Sequence, residues 1–302
     1  MAVDWIAVDW GSSRLRAWAL DAGGEVRAEG ASDAGAGGLG PDGFEPALLA
    51  LAGRWLPEKG RARVMVCGMA GARQGWAEAG YAPVPAAPRA AAPARPRTRD
   101  PRLDVRILGG VSQTNPPDVM RGEETQIAGL LASEPGFDGV VCLPGTHSKW
   151  VHVTGGEIFH FLTCMTGEAY ALLAERSVLR HTLTGPEGRD LPAFLDAADE
   201  AMTRPERVFA RLFSLRAGAL LSAEPDAPAT LRARLSGWLI GLELAASRPY
   251  WLGRRVALVG APGLTAHYRA ALEAQGLAPE PLDAARLTLD GLRAAHAKLS
   301  ET

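Results

Sequence analysis

The chain has 302 residues, 32 lysines and arginines against 34 aspartates and glutamates, a formal charge of −2 and a hydrophobic fraction of 47%. This is a globular composition with length for about two domains of 100–200 residues, which excludes a disordered chain. The near-neutral charge argues against a general nucleic-acid binder, and no apolar run reaches the ~18 residues of a membrane-spanning helix.

The first thirty residues read as a β-meander: WIAVDW, then the turn GSS, RLRAWAL, the turn DAGG, and EVRAEG. Residues 42–57 place Phe44, Leu48, Leu51, Ala52 and Trp55 on one helical face. RARVMVCG (61–68) is a buried strand, and MAGARQGWAEAGY is expected to run from a loop into a short helix. Residues 83–102 hold six prolines and five arginines, a solvated surface loop with no regular element. LDVRILGG (103–110) resumes a strand, and a helix is expected to start near Glu123. FDGVVCLPG is a buried strand, and HSKWVHVTGGEIFHFLT is a hairpin around Gly155-Gly156. Thr166 to about Ser247 is helical in pattern, ending in an apolar helix over 229–247. RVALVGAPG is one more buried strand, TAHYRAALEAQG a helix after it, and 283–299 a closing helix. Cys67, Cys142 and Cys164 lie in apolar, strand-like contexts without CxxC spacing, as packing residues in a reducing compartment do. The N-terminal stretch carries Asp4 and Asp9 and no basic segment, unlike a secretory leader, so a cytoplasmic protein is expected. The histidines lack metal-ligand spacing.

Three turns carry phosphate-binding chemistry, although GxxxxGK[ST] and GxGxxG are absent. Asp9-Trp10-Gly11-Ser12-Ser13 ends the first strand with a glycine, two hydroxyls and a carboxylate able to hold hydrated Mg2+. Gly145-Thr146-His147-Ser148-Lys149 follows another buried strand, and Lys149 is one of only three lysines beside 29 arginines. Gly260, Ala261 and Gly263 form a strand-to-helix turn, where the glycines let the flat face of a base lie on the backbone and the helix N-terminus favours anions. Any one of these is also an ordinary turn; the three in this order are more informative.

In that order they resemble the actin/hexokinase/Hsp70-type ATPase superfamily. Within it, VDWGSSRLRAW (8–18), CGMAGARQGW (67–76), VMRGEETQ (119–126), LPGTHSKWV (143–151), FLTCMTGE (161–168) and LVGAPGLTAHYRAALE (258–273) resemble the 2-dehydro-3-deoxygalactonokinase family. The resemblance implies an α/β protein of two ribonuclease H-like domains, residues 1–112 and 113–282, with a nucleotide-binding cleft between them and the closing helix 283–300 packed on the first. It implies transfer of the ATP γ-phosphoryl, with Mg2+, to O6 of 2-dehydro-3-deoxy-D-galactonate. Asp9 is then the metal ligand, and Glu123 or Glu124 orients or deprotonates the acceptor hydroxyl. Arg73 is expected to grip the substrate carboxylate with its planar fork, with Gln74, Trp76 and Arg121 in the same pocket. Thr166 reads as the N-cap of the next helix, with Glu168 in its first turn. Alternatives are an exopolyphosphatase-like hydrolase, a kinase of another sugar acid, and a nucleotide-gated sugar sensor. Apolar helices over 190–222 suggest a homodimer.

Overall fold

The computed structural model describes residues 3–186 and 190–300. In chain order the elements are β1 (Trp5–Trp10), β2 (Leu15–Leu20), β3 (Val26–Ser32), α1 (Phe44–Ala52), β4 (Ala62–Gly68), β5 (Tyr81–Pro83), β6 (Leu103–Ile107), β7 (Gly110–Thr114), β8 (Pro117–Met120) and α2 (Glu123–Ser133). They continue with β9 (Gly139–Leu143), β10 (Ser148–Thr154), β11 (Glu157–Cys164), α3 (Thr166–Ala171), α4 (Arg180–Leu183), α5 (Leu191–Thr203), α6 (Val208–Arg211) and α7 (Ser214–Leu221). The last are α8 (Pro228–Ala246), α9 (Arg248–Trp251), β12 (Val256–Gly260), α10 (Pro262–Ala274), β13 (Glu280–Asp283) and α11 (Ala284–Ser300). The chain divides into two compact units. Unit 1 takes the chain up to Asp138, Val153–His160, and the segment from Ala284; unit 2 takes Gly139–His152 and Phe161–Asp283.

Unit 1 is built on a five-stranded sheet in the order β3-β2-β1-β4-β6. The short GSS and DAGG turns force β1, β2 and β3 to run antiparallel. The helical crossover through α1 returns β4 parallel to β1, and β6 then pairs parallel with β4. Alternation along β1 sends Ile6, Val8 and Trp10 to one face, against Phe44, Leu48 and Ala52 of α1. Trp5 and Ala7 go to the other, against Leu292 and Ala295 of α11. Helix α2 lies on α11 so closely that a Cβ at Gly129 would overlap the Leu287 carbonyl oxygen.

Unit 2 repeats the plan with β11-β10-β9-β12-β13. Strands β9, β12 and β13 pair parallel, while the short turns joining β9, β10 and β11 require antiparallel neighbours. Three consecutive hairpin strands followed by two parallel ones, twice, is the expected pair of ribonuclease H-like sheets. Helices α5 and α8 cover this sheet, with Phe194, Ile240 and Leu244 packed on Val140, Cys142 and Leu258. No helix among the described residues is long and apolar enough to cross a membrane.

Four readings change. Residues 72–80 form turns after a single 3-10 turn at Met69–Gly71, and no helix follows. Strands β7 and β8 form an unexpected hairpin with β5 alongside, and β13 adds an unexpected edge strand. The Pro/Arg segment is irregular but pinned. Ala86 bridges Ile158, Ala94 bridges Ile107, and the Glu45 carboxylate accepts the backbone N–H groups of Arg99 and Asp100 at 2.7–2.9 Å. Around α6 and α7, Phe209 and Leu221 are 88% and 87% exposed. The helical stretch 166–247 includes residues 187–189, which lie outside the described residues.

Candidate active site

In unit 1 the carboxylates gather where β1 and β4 end and α2 begins. Asp9 sits directly across from Arg16 on β2 and Cys67 on β4. The Arg16 guanidinium donates to Oδ2 at 2.5 Å, and the Cys67 thiol to Oδ1 at 3.8 Å. Gly68 closes the corner: at φ 88° a Cβ there would stand 2.6 Å from the Trp10 carbonyl oxygen. This is the position that requires glycine, whereas Gly11 has no positive φ. Gly122, at φ 108°, faces Gly68 and starts α2. Burial, then the charges of Asp9 and Glu124, push the Cys67 thiol up, so both carboxylates act on one buried sulfur.

Glu123 and Glu124 occupy the first turn of α2 but differ in setting. Glu123 is half-buried and accepts the Arg121 N–H at 3.1 Å. Glu124 is 1% exposed and accepts the Gly122 N–H at 2.7 Å and the Thr125 hydroxyl at 3.2 Å. Burial and the neighbouring Glu123 push its carboxyl up to about 8. A carboxyl that titrates there is matched to accepting a proton near neutral pH.

Ser12 and Ser13 are exposed at the tip of the β1–β2 turn. The turn is held from below, because Gly11 and Ser12 carbonyls accept the N–H groups of Ala36 and Gly37 at 3.0 and 2.9 Å. Arg73 and Gln74 are exposed on the loop after β4. Trp76 turns inward instead, stacked on Phe44 at 6.2 Å and edge-on to Trp10 at 6.1 Å. Arg121 braces this loop from beneath: Nη2 donates to the Ala79 carbonyl at 2.7 Å, and the guanidinium lies 4.3 Å over the Tyr81 ring. Its Nε and Nη1 are buried without a hydrogen-bond partner. Of the four residues expected around the acid, Arg73 and Gln74 are presented to solvent and Trp76 and Arg121 support them.

In unit 2, Gly145 and Gly263 line one cavity of about 720 Å³ with Thr166, Gly167, Ser236 and Tyr268. Gly260 lies against the Pro144 carbonyl, and Ala261 is the N-cap residue of α10. The turn at 145–149 is clasped by the start of α3. Glu168 N–H donates to the Thr146 carbonyl at 3.0 Å, and His147 meets the Glu168 carboxylate at 2.5 Å. Thr146 and His147 are exposed, but Ser148 and Lys149 are not. Lys149 is 4% exposed and its ammonium donates to the His147 carbonyl at 3.1 Å, so it stiffens the turn from within. The N-cap of α3 is Met165 with no side-chain cap, and Thr166 bonds Glu243 instead. Glu243 and Tyr268 were not singled out from the sequence, though a lone carboxylate inside the apolar run GWLIGLELAA marks the first.

Residues 9–295 match the 2-keto-3-deoxy-galactonokinase family. The chain belongs to this family. It is 41% identical, over 96% of its own length and 95% of the other, to a Rhizobium meliloti (strain 1021) protein named probable 2-dehydro-3-deoxygalactonokinase DgoK1. It is 35% identical, with 91% of both chains covered, to the 2-dehydro-3-deoxygalactonokinase of Escherichia coli (strain K12). A crystal structure from Sinorhizobium meliloti, provisionally assigned the same activity, superimposes with a TM-score of 0.86 at 40% identity, covering 98% and 96% of the two chains. The matched range takes in the turns at 9–13, 145–149 and 260–263 and both carboxylates of α2.

The kinase family uses ATP, and magnesium is the ion such chemistry calls for. No group of three His, Cys, Asp or Glu that could hold a metal occurs among the described residues. Asp9 keeps one carboxylate oxygen clear of its Arg16 ion pair, shared only with a weak thiol donor. That suits a largely hydrated Mg2+ bound through one carboxylate, and does not suit a dehydrated, protein-caged ion.

Proposed function

We propose that the chain phosphorylates 2-dehydro-3-deoxy-D-galactonate at O6 with ATP in the cytoplasm, as a step of galactonate breakdown. The observation that carries the reading is the family match over residues 9–295, which takes in every motif used above. In this reading Arg73 binds the substrate carboxylate through parallel N–H bonds, with Gln74 beside it. Glu124 takes the O6 proton as the hydroxyl attacks, its pKa raised by burial and further by the Glu123 charge. Ser12, Ser13, Thr146, the backbone N–H groups of Gly11 and Gly145, and the start of α10 hold the phosphate oxygens. His147 orients Thr146 through Glu168, and Lys149 and Ser148 fix the turn from inside. Gly260, Ala261 and Gly263 form the wall on which adenosine lies. Asp9 would hold a hydrated Mg2+, which would supply charge neutralisation on the transferred phosphoryl group.

The test is a panel of 2-keto-3-deoxy sugar acids and aldonic acids with ATP and Mg2+, scored by ADP release and product mass. The expected result is acid-dependent ADP release with a singly phosphorylated galacto-configured product. Turnover at the full rate without any acid would replace the kinase by a phosphohydrolase. Arg73→Ala should raise KM for the acid at least tenfold, since charge-assisted bonds contribute about 1.5–3 kcal/mol; an unchanged KM removes Arg73 from the carboxylate site.

A further inference from the structure

The middle of α8 carries a carboxylate where the surrounding residues are apolar. Glu243 is 3% exposed, in a helix whose neighbours Ile240 and Leu244 belong to the core. An ionised side chain there is costly unless each oxygen is satisfied. Its partners come from three other elements. Trp150 Nε1, on β10, donates to Oε1 at 2.8 Å. The Tyr268 hydroxyl, on α10, donates to Oε2 at 2.7 Å and is itself bonded to the Ser148 hydroxyl at 2.9 Å. Thr166, at the first residue of α3, also bonds the carboxylate, and Ser148 reaches it through the Tyr268 hydroxyl, to which it donates.

These partners have a feature in common. Ser148 ends the second phosphate turn, Thr166 starts the helix that clasps that turn, and Tyr268 belongs to the helix whose first turn holds Gly263. Gly145, Thr166, Gly263 and Tyr268 all line the 720 Å³ cavity. We infer that Glu243 is a positioning residue of the nucleotide site, tying phosphate turn, clasp helix and adenosine helix into one rigid wall. The inference rests on the proposed reading of that cavity as the ATP site. Glu243 itself touches no substrate; it acts by fixing where the backbone donors of the turn and of α10 point. A site held by one carboxylate with three donors, and Ser148 behind one of them, is preorganised, and preorganisation appears as ligand affinity.

Glu243→Gln keeps the size and one acceptor oxygen but places a donor where the Tyr268 hydroxyl donates. Tyr268→Phe deletes the same link from the other side without changing the carboxylate. Both are expected to raise KM for ATP about tenfold with KM for the acid unchanged, and together they should cost little more than either alone. Equal fractional changes in both KM values, or a lowered thermal midpoint with KM for ATP intact, would reduce Glu243 to a fold-stabilising residue. Should Glu243→Gln fail to fold, Tyr268→Phe alone decides. Titration of wild-type protein with ATP separates the two claims. If wild type does not bind, the kinase reading falls. If it binds and the variants bind equally tightly, only the role of Glu243 falls.

Discussion

Two adjacent glutamates at one helix start differ in setting: Glu123 is half-buried and Glu124 is 1% exposed. Glu124 titrates at about 8 when folded, against 4.5 for the unperturbed group. Between those values the folded chain holds a proton that the unfolded chain has released. Stability therefore falls as pH rises from 4.5 to 8, by up to about 1.4 kcal/mol per pH unit, and this contribution is gone above 8. Urea unfolding of Glu124→Gln should show a flatter pH dependence over that window. In the rate, wild-type kcat should climb towards pH 8 as the base ionises. Glu123→Gln, which removes the neighbouring charge, should move that rise to lower pH. Glu124→Gln should abolish it and cut kcat by about 10²–10⁴-fold. A Glu124→Gln enzyme with full kcat would pass the role of base to another group. The sequence offered this pair as equals, since GEE states spacing and not depth. Depth is set by tertiary packing: Glu124 shares a cavity wall with Pro88–Pro93 and α11, more than thirty residues before and over 150 after it.

At the level of elements, glycines set the approach of α2 and α11. A Cβ at Gly291 would overlap the Thr125 carbonyl oxygen, next to Glu124. Gly291→Ala is expected to lower stability by about 1–3 kcal/mol, as overpacking does. Gly218→Ala, where a Cβ meets only open space on α7, should be neutral or gain up to about 1 kcal/mol. Equal effects in thermal unfolding would mean that helix propensity and not packing governs both. The strands β1, β4, β9 and β12 were legible because each is an apolar run ended by a glycine or proline turn. The β7–β8 hairpin was not, because GVSQTNPPDVM is polar and proline-rich and forms through its pairing with β5. Strand β13 contains Pro281 and gains its register only from β12. The pins on residues 83–102 come from Glu45, Ile107 and Ile158, distances in sequence at which no local pattern speaks.

On the scale of the whole chain, one sheet plan is used twice with different contents. Unit 1 carries the carboxylates and the exposed Arg73; unit 2 carries the cavity and its buried polar network. The duplication was visible in the meander WIAVDW–GSS–RLRAWAL and in the strand FDGVVCLPG followed by its hairpin, whereas the network that stiffens the second turn was hidden in an apolar helix. The scarcity of lysine has a practical consequence. Lys59 and Lys298 are exposed, while Lys149 is sealed inside β10. A lysine-specific protease therefore meets two accessible bonds and one that becomes scissile only when the β9–β10 turn opens. The rate of cleavage after Lys149 reports that opening without any label. Adding ATP at a hundredfold excess over its Kd should slow this one cut by up to about a hundredfold and leave the cut after Lys59 unchanged, and an unaltered rate would mean that the turn does not close on nucleotide.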